Sequence, residues 1–314
     1  MRRRLGLAAL LALAMPAAAL AATTAATAPP ASPAESGSTF QAGGVTLYYE
    51  ALGGAAGTPL VVVNGGPGFD HAYLHVSNVW GELAKRRPVV LYDQRGVGRS
   101  TAGDKPGKLA DQIDDLDALR QHLGAERVDL LGHSWGGYLV MAYTARHPDR
   151  VRRLLIVDSA APRWSDTVFL FKDLFPERVE HEDSLGFAET LGDAQASADR
   201  MRDYLSMLFY DPEHRDAFLA TFGPGHYNLE VNQALNTDLE RFDLGPELPK
   251  FHLPALVVTG RFDANVAPAT AYRIHKAIPG SRLVIFEKSG HLPFFEEPGR
   301  FVQVVEEFLG GDGK

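Results

Sequence analysis

The chain has 314 residues, 39 acidic against 31 basic side chains, a net charge of −8, 45% hydrophobic residues and no cysteine. That is enough apolar material for one sizeable core with an appended element, which sets aside collagen-like, coiled-coil and wholly disordered chains. The lack of cysteine removes disulfides, thiolate metal sites and a cysteine nucleophile, and the acidic balance argues against a phosphate-tracking surface for nucleic acid.

Residues 1–21 read as a secretory signal peptide. Arg2, Arg3 and Arg4 open the chain, an apolar run follows from Leu5 to Leu20 broken by Gly6 and Pro16, and Ala19-Leu20-Ala21 has the small-x-small form of a cleavage site. The run is short for a membrane span, and a lipoprotein is excluded because there is no cysteine to acylate. The expectation is an exported protein, periplasmic or secreted, with no stable span after cleavage and with Sec and twin-arginine routes both open. Residues 22–39, rich in Ala, Thr, Pro and Ser, have little to bury and are expected to form a flexible linker.

From Phe40 short apolar runs alternate with amphipathic stretches. The runs are Val45 to Tyr49, Leu60 to Val63, Val89 to Tyr92, Val128 to Leu131, Leu154 to Val157, Ala255 to Thr259 and Leu283 to Phe286. They are continuous rather than alternating, as expected of strands covered on both faces. Helix-like stretches between them (Lys108 to Leu123, Tyr138 to His147, Thr270 to Ala277, Phe301 to Leu309) predict an α/β fold with a mostly parallel sheet flanked by helices. Residues 163–245 break the rhythm with aromatic, helix-periodic sequence and no convincing strand. They are read as an inserted helical cap, dividing the core into residues 40–162 and 246–314 over the sheet edge where open α/β sheets bind ligands.

The chemistry concentrates at Gly132-His133-Ser134-Trp135-Gly136-Gly137, where a strand must turn sharply into a helix. A serine at such a corner is forced into a strained backbone with Oγ presented to the pocket, and glycines two residues either side let strand and helix approach. Gly65-Gly66-Pro67-Gly68 follows an earlier strand, so the Gly66 and Trp135 N–H groups are the two candidate oxyanion donors, each of a kind that supplies about 3–4 kcal/mol of transition-state stabilisation. A serine hydroxyl needs a base, and the base needs an orienting acid. In chain order these should follow the nucleophile on loops after later strands, which selects Asp263 after Ala255 to Thr259 and His291 after Leu283 to Phe286. Asp158 and Asp243 are the competing acids. His133 is expected to pack, His71 and His75 flank the oxyanion loop, and His147, His252 and His275 look like helix-end or surface residues.

Together with Asp93-Gln94-Arg95-Gly96-Val97-Gly98-Arg99-Ser100, the Gly260 to Asp263 loop, Gly290-His291-Leu292-Pro293 and Glu296-Glu297-Pro298, these motifs make residues 40 to 310 resemble an α/β-hydrolase fold serine hydrolase of the proline iminopeptidase branch. The resemblance implies Ser134 as nucleophile, His291 as base then acid, Asp263 as orienting carboxylate, a helical cap, and neither cofactor nor metal. Asp93 and Arg95 are expected to pair and brace the turn beneath the oxyanion loop. Two positions depart from the family pattern. Asn64 stands where many relatives have His before the two glycines, and is expected to hydrogen-bond the loop. In Phe222-Gly223-Pro224-Gly225-His226-Tyr227, His226 stands where a carboxylate is expected to grip the substrate's free amine, leaving Glu230, Asp238 and Glu240 as substitutes.

The substrate expected is a short peptide losing an N-terminal residue, proline foremost. A carboxylesterase, lactonase or amidase on small apolar acyl groups is the alternative, and a ligand-binding protein that kept the fold is the reading outside enzymes. Dehalogenase and epoxide hydrolase chemistry is disfavoured because those relatives use Asp at the elbow.

Overall fold

The computed structural model describes residues 37–104, 107–191 and 193–311. The signal peptide and nearly all of the linker expected for residues 1–39 lie outside the described residues.

Eight strands form one sheet: β1 (Ser38–Ala42), β2 (Val45–Leu52), β3 (Leu60–Val63), β4 (Val89–Tyr92), β5 (Val128–His133), β6 (Val151–Val157), β7 (Ala255–Gly260) and β8 (Arg282–Phe286). Their spatial order is β1-β2-β4-β3-β5-β6-β7-β8. The β1–β2 and β2–β4 pairs are antiparallel, and every other pair is parallel. β1 was not legible as a strand, because its alternating STFQA offers only Phe40 and Ala42 to the core. The ordered core therefore starts at Ser38, two residues inside the expected linker.

β3 and β4 are buried throughout, and the period of two splits their side chains between two cores. Val61 and Val63 join one cluster with α2 (Leu109–His122), α3 (Trp135–Arg146) and α9 (Pro268–Ala277). Leu60 and Val62 join the other with α1 (Val79–Ala84) and α11 (Pro298–Gly310). Five helices and two 3-10 turns fill residues 163–245: α4 (Phe171–Leu174), α5 (Pro176–Thr190), α6 (Ala194–Ser206), α7 (Pro212–Thr221) and α8 (Leu229–Leu239). A last short helix, α10 (Pro293–Glu296), precedes α11. Among the described residues no helix is long and apolar enough to cross a membrane.

Candidate active site

Four loops meet at the carboxyl ends of the parallel strands: those after β3, β5, β7 and β8. Ser134 sits between β5 and α3 with φ +57°, in the left-handed region that L-residues avoid. The strain is held by close packing. A Cβ on Gly132 would lie 2.2 Å from the Gly136 carbonyl oxygen, and one on Gly136 would lie 2.1 Å from that of Val63. Strand and helix therefore meet backbone to backbone, which fixes where the serine points.

Asp263 and His291 come together across the β7 and β8 loops. His291 Nδ1 lies 2.8 Å from Asp263 Oδ2, while Asp263 Oδ1 accepts the Asn265 and Val266 N–H groups at 2.9 Å each. Three donors on one buried carboxyl keep it the acceptor, so Nδ1 carries the ring proton. The other ring nitrogen, Nε2, accepts the Asn265 amide at 3.0 Å. Asn265 thus keeps Nε2 as an acceptor, the state a general base requires, and the sequence motif gave no sign of this residue.

Ser134 and His291 line one apolar cavity of about 30 Å³ with Gly65, Gly66 and Tyr73 from the β3 side and Tyr204, Phe218 and Phe222 from the insertion. Gly66 has φ +134°, and a Cβ on Gly65 would come 3.0 Å from that of Ser134, so the loop backbone lies directly against the serine. As expected, Asn64 steadies this loop, its amide donating to Phe69 O at 2.7 Å and Gly65 O at 3.1 Å. Gln94 bridges further: its Nε2 donates to Asn64 O at 2.9 Å, and its Oε1 accepts the Trp135 indole N–H at 2.7 Å.

His133 does more than pack. Gly65 N–H donates to Tyr73 Oη at 2.6 Å, which leaves the hydroxyl proton for His133 Nδ1 at 2.7 Å and the His133 Nε2 proton for the His291 carbonyl at 2.8 Å. Burial, with His291 alongside, pushes His133 well below its ordinary value and keeps it neutral. One chain of hydrogen bonds therefore ties the oxyanion loop, the elbow and the base loop together.

The backbone of His291 is also gripped from the insertion. Its N–H donates to Leu208 O at 2.7 Å. Glu296 accepts the N–H of Gly290 at 2.6 Å and those of Tyr210 and Asp211 at 2.8 and 3.0 Å, while burial pushes its carboxyl up to about 7.

One expectation is corrected. Asp93 and Arg95 do not pair: Arg95 makes a two-point bond to Asp115 of α2, both contacts at 2.6 Å. Asp93 instead accepts His71 Nδ1 at 2.6 Å, the His71 N–H at 3.1 Å and the Arg99 N–H at 2.8 Å. His71 Nε2 is 3.1 Å from Glu50, so one imidazolium bridges two buried carboxylates and is pushed up to about 10 by them against the cost of burial. This is the ion pair that underlies the oxyanion loop.

The residues expected to meet a substrate amine lie outside the Ser134 cavity. None of His226, Glu230, Asp238 and Glu240 lines the cavity that holds Ser134. Asp238 is buried and accepts the Leu109 N–H at 2.9 Å at the start of α2; Glu230 and Glu240 are exposed. His226 bonds Asp70 of the oxyanion loop through Nδ1 at 2.9 Å and stacks on Phe222, and that bond raises its pKa. Asp238 and His226 are thus engaged elsewhere, while Glu230 and Glu240 face solvent.

A family model for the alpha/beta hydrolase fold matches residues 58–298. The chain belongs to that family. It is 30% identical over 275 residues to a proline iminopeptidase of Heyndrickxia coagulans, covering 81% of this chain and 91% of that protein. A proline iminopeptidase of Lactobacillus crispatus is 28% identical over 288 residues, covering 85% and 95%. Among solved structures, a thermophilic esterase from Thermogutta terrifontis superposes with TM-score 0.68 at 25% identity over 87% of this chain and 98% of its own. The enol-lactonase from Burkholderia xenovorans gives 0.68 at 24% over 87% and 100%, a likeness of fold. This member of the alpha/beta hydrolase family is a hydrolase whose relatives carry the proline iminopeptidase name.

Proposed function

We propose that the chain is a serine hydrolase working through an acyl-enzyme, and that it releases an N-terminal residue, proline foremost, from short peptides. The observation that carries the hydrolase reading is a serine at a strained strand-to-helix corner sharing one cavity with an imidazole whose proton is fixed on the far nitrogen by Asp263. Ser134 Oγ attacks the carbonyl carbon as His291 Nε2 takes its proton, and the tetrahedral oxygen lies toward the Gly66 and Trp135 N–H groups. His291 then gives that proton to the leaving amine, and water repeats the sequence to free the acid. The Asn265 amide must yield Nε2 to the serine hydroxyl as substrate binds.

The peptidase reading draws on the relatives' name. The cavity that Ser134 and His291 share is lined mainly by apolar and aromatic side chains, among them Tyr204, Leu205 and Phe218 of the insertion, which suits a prolyl ring. One observation favours a second reading, an esterase for small apolar acyl groups: no carboxylate lines the cavity among the described residues, so nothing there pairs with a substrate ammonium. Proline 4-nitroanilide and 4-nitrophenyl butyrate separate the two. The peptidase reading expects anilide cleavage, and ester turnover without it selects the esterase. Ser134→Ala should lower either activity by several orders of magnitude while the melting temperature stays within a few degrees. Retained turnover in that variant would remove the whole mechanism.

A further inference from the structure

Asp158 follows β6, and the mechanism above makes no use of it. It is 1% exposed and has φ +45°, a left-handed backbone conformation that a residue with a Cβ keeps only where its surroundings impose it. Its Oδ1 accepts the Gly260 N–H at 2.8 Å, whereas its Oδ2 is buried and accepts no hydrogen bond from any described group. One oxygen of Asp158, one of Asp263 and one ring nitrogen of His291 lie within 4.8 Å of one another. Two carboxyls so close and so buried do not both ionise. Asp263, with three donors, keeps the charge. The proton falls to Asp158, which has one donor, and an oxygen that accepts nothing is placed to donate.

We propose that Asp158 is a second acid of this site: a positioning residue that donates a hydrogen bond to Asp263, and that takes its place against the His291 ring when Asp263 cannot hold it. In the native protein Asp158 steadies the Asp263 carboxylate from behind. Where residue 263 is neutral, the repulsion that adds to burial in keeping Asp158 protonated is gone, and the His291 ring offers the Asp158 carboxylate a donor. Asp158 then loses its proton to solvent and accepts the His291 Nδ1 proton. Burial and Asp263 both hold the Asp158 pKa well above the ordinary aspartate value, in keeping with this order. The inference rests on the triad reading given under Proposed function.

The test is a cycle on the intact protein, read by the rate at which a fluorophosphonate labels Ser134, which needs no knowledge of the natural substrate. Asp263→Asn should label about 10- to 100-fold more slowly than the native protein, short of the roughly 10⁴-fold loss expected when a triad has no carboxylate at all. Asp158→Asn should slow labelling several-fold in the native background and a further ~100-fold in the Asp263→Asn background, down to the rate of His291→Ala. A merely structural Asp158 would give the same factor in both backgrounds, and that equality overturns the proposal. Asp158→Gly, which relieves the positive φ, should show the same dependence on background if Asn at this position does not fold. Ser134→Ala and His291→Ala serve as controls. Unchanged turnover in them would bring down the triad and the second acid together, whereas equal factors with inactive controls would remove the second acid alone.

Discussion

Tyr73→Phe tests whether the hydrogen-bond chain through the elbow matters. The hydroxyl is fully enclosed, and burial pushes its pKa far above the ordinary tyrosine value. It receives the Gly65 N–H at 2.6 Å and serves His133 Nδ1 at 2.7 Å. Phenylalanine fills the same space and leaves both groups without that partner. His133 cannot escape by moving its proton to Nδ1, because its Nε2 lone pair would then face the His291 carbonyl oxygen 2.8 Å away. Each buried polar group stripped of its partner costs about 1–3 kcal/mol, so the variant should lose roughly 2–5 kcal/mol. For a domain of this size that is a fall of about 5–15 °C in melting temperature. Part of the loss should reach the chemistry, since Gly65 adjoins the candidate donor Gly66 and the His291 carbonyl adjoins the base. A fall in kcat of about 10- to 100-fold with KM little changed corresponds to about 1.4–2.7 kcal/mol. Urea denaturation and steady-state kinetics on the same preparation measure both. A phenylalanine variant with native stability and native kcat would show that the chain from Gly65 to His291 carries no energy.

Gly136→Ala places a methyl 2.1 Å from the Val63 oxygen and 2.6 Å from that of Asn64, both backbone atoms that cannot turn aside, so little soluble protein should be recovered. Native yield and melting temperature would contradict the close approach. The bridge from His71 to Glu50 and Asp93 makes stability depend on pH. With the folded pKa raised from 6.5 to about 10, its contribution is present in full below pH 6.5, declines as the pH rises, and is gone once the pH passes about 10. The amount lost is on the order of 3–5 kcal/mol, and a urea midpoint that stays flat between pH 6.5 and 9.5 would refute it. Glu230→Gln and Glu240→Gln, both on exposed side chains, should leave KM for proline 4-nitroanilide within about twofold, because surface charges are screened. A tenfold rise in KM would return one of them to the substrate site.

What the sequence discloses follows from how locally each feature is determined. The elbow is legible because strand, corner and helix are consecutive, and Gly132 answers a clash with the Gly136 carbonyl that occurs within five residues. Asp263 and His291 are legible because parallel strands deliver their carboxyl ends to one edge, so order along the chain stands in for position. The Asp93–Arg95 pairing fails for the converse reason. Neighbours in a turn project to different sides, and Arg95 reaches α2 while Asp93 meets His71. Tyr73 and His133 are 60 residues apart and His133 and His291 are 158 apart, so nothing in either local pattern announces their bonds. Asp158 was visible as a rival acid; the two-carboxyl arrangement was not, since a rival in sequence becomes a neighbour only once β6 and β7 pair. A helix gives no sign of which of its acids a distant helix start will claim, as α2 claims Asp238.

His291 is therefore held from two sides. From the core, His133 holds its carbonyl and Asp263 its ring. From the insertion, Leu208 holds its N–H, and Glu296 joins the adjacent Gly290 to Tyr210 and Asp211 at the end of the same segment. Leu208 also lines the cavity that holds Ser134, so the segment that sets the His291 backbone borders that cavity as well. Displacing Leu208 removes the acceptor of the His291 N–H and leaves only the carbonyl and ring bonds to hold that residue.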